Sequence, residues 1–126
     1  MSNRLEDFFI VVVSGDRYWH ATGEVDRELA AIIKQRDKVL VISGGASGID
    51  TVTKYVCEKN GYIFAEVPAP YEFFKKKAGP IRNAWMLLFK PDLVLCFHQR
   101  IEKSKGTKNM KQLAEKAGIP VKLIDK

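Results

Sequence analysis

The sequence predicts a three-layer α/β/α Rossmann-like sandwich built on a parallel five-stranded sheet, in one domain covering residues 1–126. Five short apolar runs alternate with four helical patterns, and this alternation is typical of parallel βαβ units with right-handed crossovers. The first run, "FFIVVV" at residues 8–13, is continuous and β-branched, as expected for a strand that is buried on both faces. A chain of 126 residues is also long enough to bury one continuous core.

The other four strands follow from the same pattern. We expect the second strand at Val39–Ser43, the third near residues 62–67, the fourth at Leu93–Phe97 and the fifth within "IPVKLID". The segment "PAP" at residues 68–70 should end the third strand, because proline cannot donate to a central ladder.

Four helices are predicted between these strands. Val25, Leu29, Ile32 and Ile33 are spaced for one face of the first helix. The second carries its apolar stripe over residues 49–57 and ends at Asn60-Gly61, a common C-terminal signal. The third is predicted to begin at Pro80 and run to about residue 89, and the fourth to begin at Thr107 as N-cap and end at Gly118.

Composition restricts the function classes. Hydrophobic residues make up 46% and charged residues 29%, and no apolar run approaches the roughly 20 residues needed to span a bilayer. The N-terminus is typical of a first strand and not of a signal peptide, which predicts a cytoplasmic location, or the host cytoplasm for a viral gene. A net charge of +6 favours an anionic partner. No membrane partner is expected, because no apolar run is long enough to span a bilayer. Two isolated cysteines and two isolated histidines predict neither a disulfide nor a metal site, and no cofactor is expected.

The candidate site lies in the loops after strands one to four, because ligands of such sheets bind beyond the carboxyl ends of the strands. In the first loop, "SGDRYW", Gly15 permits a tight exit, Arg17 offers a forked cation and Trp19 offers a stacking face. The alternative is a surface arginine beside a tryptophan that packs over the sheet edge.

The second loop, "GGASGID", is a glycine-rich turn that leads into a helix. Ser47 and Asp50 have the spacing of a capping box, and Gly44, Gly45 and Gly48 would let an anion approach free backbone amides. The loop lacks the lysine and hydroxyl of a P-loop, so a purely structural turn remains the alternative.

The third and fourth loops add two more helix N-termini. Residues 78–80 predict a small turn before the third helix, with Arg82 and Asn83 in its first turn, where a cation opposes the helix dipole and therefore suggests an anion. The alternative is a surface arginine paired with an acid. Glu66, at the end of the third strand, could reach a ribose hydroxyl, but its position favours a solvated side chain. Gly106-Thr107 opens the fourth helix.

Taken in order, "VVSGDRYW", "VISGGASGIDTV", "KKAGPIRNAWML", "PDLVLCF" and "KGTKNM…AGIPV" resemble the small YspA/YpsA-related branch of the SLOG superfamily, found in bacteria and phages. The resemblance covers nearly the whole chain. It implies a Rossmann-like domain that binds a nucleotide or a nucleotide-derived ligand, such as an ADP-ribose-type signal. Relatives include the LONELY GUY phosphoribohydrolases, which cleave a base from a nucleoside 5′-monophosphate, and DNA-processing protein A, which binds single-stranded DNA.

The resemblance assigns ligand-binding positions to all four loops. With the residues argued above, the predicted set is Gly15, Asp16, Arg17, Trp19, Gly44, Gly45, Ala46, Ser47, Gly48, Asp50, Lys76, Gly79, Pro80, Arg82, Asn83, Gly106 and Thr107. Backbone amides at Gly45, Ala46, Gly79, Gly106 and Thr107 are expected to hold phosphate oxygens. Arg17 and Arg82 would supply charge, and Trp19 or Tyr18 would stack on the base.

This chain departs from the resembled pattern at three positions. Asp16 stands where many members have glycine, Lys75 stands where they have glycine before the lysine, and Met110 stands where the phosphoribohydrolases have their catalytic glutamate. Asp50 or Asp16 could substitute for that glutamate. The sequence therefore favours binding of a phosphorylated nucleotide-type ligand by a protein that forms a dimer. Nucleoside-monophosphate N-glycosidase activity and single-stranded nucleic-acid binding remain alternatives.

Overall fold

A computed structural model describes residues 4–126 of the chain. Its sheet has five parallel strands in the order β3-β2-β1-β4-β5. The strands are β1 Phe9–Gly15, β2 Val39–Ser43, β3 Ile63–Glu66, β4 Leu93–Phe97 and β5 Val121–Ile124. The predicted fold class is confirmed.

Within residues 4–126 there are five α-helices, four of which pack on the two faces of the sheet. They are α1 Thr22–Lys34, α2 Ile49–Asn60, α3 Tyr71–Phe74, α4 Ala78–Leu87 and α5 Gly106–Lys116. Single 3₁₀ turns occur at residues 5–7, 75–77 and 101–103. Within residues 4–126, no helix is both long enough and apolar enough to cross a bilayer.

The side chains of β1 alternate between two separate cores. Val11 and Val13 pack with Val25 and Leu29 of α1 and with the buried stripe of α2. Ile10 and Val12 point the other way, into a cluster that includes residues of α4 and α5. A strand buried on both faces therefore has apolar side chains at every position, which explains the continuous run in the sequence. Each fully buried side chain of this kind contributes about 1.5 to 3 kcal/mol.

The start of helix α4 differs from the prediction. It begins at Ala78 and follows directly on a 3₁₀ turn at residues 75–77, so Ala78, Gly79 and Pro80 form its first turn and not a loop before it. Proline is tolerated there because first-turn amides have no acceptor within the helix. The short helix α3 was not predicted, since its four residues are too few to establish a helical period.

The start of α5 also differs from the prediction. Thr107 is the second residue of the helix and not its N-cap. The amides of Thr107 and Lys108 donate instead to Oγ of Ser104, at 3.0 and 3.4 Å. Ser104 thus caps the helix, and the amide of Thr107 already has an acceptor.

The order of the strands reverses at β1. The chain proceeds from β1 to β2 and β3 on one side, then crosses to β4 and β5 on the other. The carboxyl ends of β1 and β4 are therefore the switch point of the sheet, where loops diverge and leave a crevice.

Candidate functional site

A cavity of about 500 Å³ opens at this switch point. Its volume lies in the usual range for small-molecule sites. Four elements contribute to it: the end of β1, the loop into α2, the middle of α4, and the segment from the end of β4 to the start of α5. The lining residues are Ser14, Gly15, Asp16, Arg17, Tyr18, Ala46, Asp50, Arg82, Asn83, His98, Lys103, Ser104, Lys105, Gly106 and Thr107.

The cavity lining is predominantly basic. Arg17, Arg82, Lys103 and Lys105 supply cations, against the carboxylates of Asp16 and Asp50. Arg17 and both lysines are exposed. Among residues 4–126, the ion pairs and side-chain hydrogen bonds leave the guanidinium of Arg17 without a protein partner. An exposed cation without a protein partner, at the mouth of a concave basic site, is suited to attract and bind an anion.

Asp50 holds the glycine-rich turn together. Its side chain is buried, Oδ1 accepts from Oγ of Ser43 at 2.7 Å, and Oδ2 accepts from the amide of Ala46 at 3.0 Å. Burial raises the pKa of Asp50, and the hydrogen bonds from Ser43 and Ala46 and the charge of Arg82 oppose that rise. The predicted capping box is wrong, because Ser47 Oγ donates to the carbonyl of Arg17 at 3.1 Å and makes no cap bond to α2.

The glycines of the turn make room for the protein's own atoms. At Gly44, a Cβ would collide with the guanidinium of Arg82; at Gly45, it would lie 2.9 Å from the Glu66 carboxyl carbon. Gly48 has a φ of +70°, and a Cβ there would collide with the backbone of Asp16 and Arg17. The space predicted for an anion is therefore filled by protein. The predicted free amide at Ala46 is wrong, since that amide donates to Asp50.

Arg82 packs over this turn. It is the fifth residue of α4 and lies in the second turn, not in the first turn as predicted. Its Nη1 donates to the carbonyl of Gly44 at 2.6 Å, and its Nε donates to Oδ1 of Asn83 at 3.1 Å. Among the described residues, no carboxylate lies within 4.0 Å of it, so the alternative of an acid-paired surface arginine is also wrong. Arg82 organises the wall of the cavity while presenting positive charge to it.

Asn83 joins α4 to α5. Its side chain is buried, and Nδ2 donates both to the carbonyl of Gly106 at 3.2 Å and to Oδ1 of Asn109 at 3.0 Å. With Arg82 bonded to its oxygen, the amide has partners at both ends. Asn83 thus fixes the position of the Gly106 segment relative to the arginine-bearing helix.

Nine of the seventeen predicted site residues line the cavity, and eight do not. Those that line it are Gly15, Asp16, Arg17, Ala46, Asp50, Arg82, Asn83, Gly106 and Thr107. Those outside are Trp19, Gly44, Gly45, Ser47, Gly48, Lys76, Gly79 and Pro80. Residues after β1, before α2 and before α5 meet at the cavity, but the glycines at positions 44, 45 and 48 and the first turn of α4 lie outside it.

The aromatic at the cavity is Tyr18. Trp19 packs against the core formed with α1 and α2, which is the alternative role described above. Tyr18 is 82% exposed and lines the cavity.

Five further lining residues were missed: Ser14, His98, Lys103, Ser104 and Lys105. His98 directly follows β4, so the rule that placed the site at the carboxyl ends of strands could have identified it.

The position of the phosphoribohydrolase glutamate lies outside the cavity. Met110 is fully buried and packs in the core beneath α4 and α5. Among residues 4–126, no group of three His, Cys, Asp or Glu side chains could hold a metal ion. Cys57 and Cys96 are both buried, and burial raises the pKa of each thiol to about 12.

Fold and cavity together define a small Rossmann-like protein with a basic site at the switch point of its sheet. Its fold is that of DNA processing protein A from Streptococcus pneumoniae, with a TM-score of 0.73 at 18% identity. The match covers 94% of this chain and 51% of that protein, so the chain spans about half of its length. This is the Rossmann-like fold that the SLOG resemblance implied. No profile of a described protein family matches the chain.

A phage protein is similar over nearly the whole sequence. The Gene 61 protein of Mycobacterium phage D29 is 32% identical over 117 residues, which cover 88% of this chain and 92% of that protein. The chain belongs to the family of this Gene 61 protein.

Proposed function

We propose that the protein binds a phosphorylated nucleotide or nucleotide-derived ligand, including ADP-ribose-like compounds, in the cavity at the switch point. The observation that carries this proposal is the coincidence of a basic cavity with the carboxyl ends of β1 and β4. The fold shared with DNA processing protein A supports a ligand of nucleotide or nucleic-acid type. We further propose that the protein is a member of the YspA/YpsA-related branch and that residues 1–126 form one ligand-binding domain.

Cationic side chains would hold the phosphate groups, in place of the predicted amides that already have acceptors. The amides of Ala46 and Thr107 already donate to Asp50 and Ser104. Arg17, Lys103 and Lys105 are exposed at the cavity and are free to close on an anion. Tyr18 offers an exposed ring on which a base can stack, an interaction worth about 1 to 3 kcal/mol.

A thermal-shift screen tests the proposal with nucleoside mono-, di- and triphosphates, ADP-ribose, NAD and cyclic dinucleotides. A ligand at a hundred times its dissociation constant adds about 2.7 kcal/mol, a shift of several degrees. Arg17→Ala should weaken a hit at least tenfold and leave the apo thermal midpoint unchanged. Arg27→Ala removes an exposed arginine from α1 and is the matched control. A flat screen across all these compounds would refute the proposal.

Single-stranded nucleic acid is the second candidate, and a separate surface favours it. Tyr71 is 58% exposed and Phe73 is 78% exposed, next to the exposed lysines at residues 75–77. Exposed rings beside consecutive cations are what single strands need for base stacking and phosphate contact. Lys76, which lies outside the cavity, would act here.

The nucleic-acid candidate predicts affinity for short oligonucleotides that falls steeply with salt. Phe73→Ala should weaken that binding several-fold, whereas Tyr55→Ala, which removes an exposed ring from α2, should not. Mononucleotide binding with no measurable oligonucleotide binding would eliminate this candidate.

We also propose that the protein self-associates through an apolar groove near the amino ends of β1 and β4, at the end of the sheet opposite the cavity. Leu5, Trp85 and Leu88 line it and are 49%, 40% and 75% exposed. An exposed apolar surface of this kind is typical of an interface. Sedimentation equilibrium should give a dimer for the wild type and a monomer for Leu88→Glu. A monomeric wild type at micromolar concentration would reject the interface.

A further inference from the structure

Two polar side chains face each other across the mouth of the cavity. Asp16 follows β1 and His98 follows β4, and these strands are neighbours at the switch point. Their side chains are 22% and 13% exposed, and His98 Nε2 lies 3.8 Å from Asp16 Oδ2. The separation exceeds that of a direct N–H···O bond, which spans about 2.7 to 3.2 Å.

Local hydrogen bonds fix which oxygen of Asp16 faces the histidine. Oδ1 accepts from the amide of Tyr18 at 2.9 Å, which leaves Oδ2 directed to His98. The backbone is held as well, because the amide of Asp16 donates to the carbonyl of Phe97 at 2.9 Å. An ionised carboxylate can only accept hydrogen bonds.

Local hydrogen bonds also fix the tautomer of His98. Its Nδ1 accepts the amide N–H of Arg100 at 2.9 Å, so the neutral ring carries its proton on Nε2. The His98 amide donates to the carbonyl of Ile124 at 3.0 Å, which anchors the residue to β5. His98 therefore presents a donor, and Asp16 an acceptor, to the same gap.

Only a group that donates and accepts satisfies both side chains. An oxygen atom about 2.8 Å from Nε2 and from Oδ2 fits between atoms 3.8 Å apart. A hydroxyl can accept from His98 and donate to Asp16, whereas a phosphate oxygen has no proton for Asp16 and is repelled by its charge. Phosphate groups are better placed at Arg17, Lys103 and Lys105.

We propose that Asp16 and His98 bind a ribose hydroxyl of the ligand, so that the cavity selects ribonucleotides by their sugar; this inference rests on the proposed function. Glu66, the residue that Rossmann-type sites place on the ribose, lies outside the cavity. Its carboxyl packs against Gly45 and lies 4.0 Å from Lys54 Nζ. The sugar is therefore recognised at the ends of β1 and β4, and not at the end of β3.

The test measures dissociation constants for the ribonucleoside 5′-phosphates and ADP-ribose, and for the 2′-deoxy and 3′-deoxy forms of each mononucleotide that binds. Removal of the bound hydroxyl should weaken binding about 10- to 100-fold. Asp16→Asn keeps an acceptor for the Tyr18 amide but places a donor opposite His98. His98→Asn keeps an acceptor for the Arg100 amide but loses Nε2–H. Both variants should bind the ribonucleotide as weakly as the wild type binds the deoxy form. Their affinity for the deoxy form should equal that of the wild type.

Asp37→Asn, a surface aspartate before β2, is the matched control, and thermal midpoints establish that each variant is folded. Equal affinity of wild type for ribo, 2′-deoxy and 3′-deoxy forms would overturn the sugar assignment and leave nucleotide binding intact. Absence of binding by every nucleotide and by ADP-ribose would overturn the proposed function and this inference together. If one variant fails to fold, the deoxy series on wild type and the other variant still decide.

Discussion

Small residues serve different purposes in the turn after β2 and at the start of α5. The turn at residues 44–48 is rich in glycine, yet its space is filled by Arg82, Glu66 and the backbone after β1. By contrast, a Cβ on Gly106 would meet no atom within 4 Å apart from those of its chain neighbours and its own helix backbone, and the segment before it places two exposed lysines at the cavity. A glycine-rich sequence therefore marks close packing as readily as ligand approach, and only the neighbouring atoms distinguish the two uses.

The largest expected effect comes from filling the closed turn. Gly48→Ala places a Cβ against the backbone of Asp16 and Arg17 at a φ of +70°, so both a collision and backbone strain result. We expect a loss of about 2 to 4 kcal/mol in the free energy of unfolding, measured by urea denaturation. Gly23→Ala is the control, because a Cβ there meets nothing within 4 Å in helix α1, and it should be neutral or stabilising. Equal stability of the two variants would mean that the turn is open.

A smaller effect should separate the two arginines of the cavity. Arg82→Ala removes the donor to the Gly44 carbonyl and should lower the free energy of unfolding by about 1 to 3 kcal/mol, in addition to weakening ligand binding. Arg17→Ala should change stability by less than about 0.5 kcal/mol, since its side chain is exposed. Thermal and chemical denaturation of both apo variants would measure the difference. An apo Arg82→Ala protein as stable as wild type would assign this residue to the ligand alone.

The stability of the protein should also depend on the protonation state of Asp50. Burial raises the pKa of Asp50 in the folded state above the reference value of 3.8, so the folded state holds this proton more tightly than the unfolded state. The stability that Asp50 contributes is present below pH 3.8 and is lost as the pH rises through the folded pKa. The stability of wild type minus that of Asp50→Asn should therefore fall as the pH rises through this window. Urea denaturation at several pH values measures it, with Asp37→Asn as the exposed control; a rising difference would contradict the assignment.

The sequence was sufficient to predict the five strands, because each strand is a short apolar run that can be recognised locally. The bounds predicted for β2 and β4 agree with the structure, since continuous β-branched or apolar runs identify buried strands. The site was only partly predictable. The carboxyl-edge rule brought Arg17, Asp50 and Arg82 to one cavity, but which amides are free depends on side chains distant in sequence. Gly44 and Arg82 are 38 residues apart, and no local pattern records their contact.

Capping shows the same limit at shorter range. Ser104 and Thr107 are three positions apart, and both are residue types that are favoured at an N-cap, so propensity does not distinguish them. The 3₁₀ turn at residues 101–103 places Ser104 so that it receives the helix amides. Local geometry upstream of a helix thus decided between two residues of equal chemical suitability.

The three bonds made by Asn83 have an evolutionary consequence. A hydrophobic residue at position 109 would leave one amide hydrogen of the buried Asn83 without an acceptor. A hydrophobic residue at position 83 would remove the acceptor of Arg82 Nε and the donor to Asn109 Oδ1. Neither change is neutral when it occurs first. Positions 83 and 109 are therefore expected to covary within the family of the Gene 61 protein, and paired replacement is the route by which α4 and α5 can diverge together.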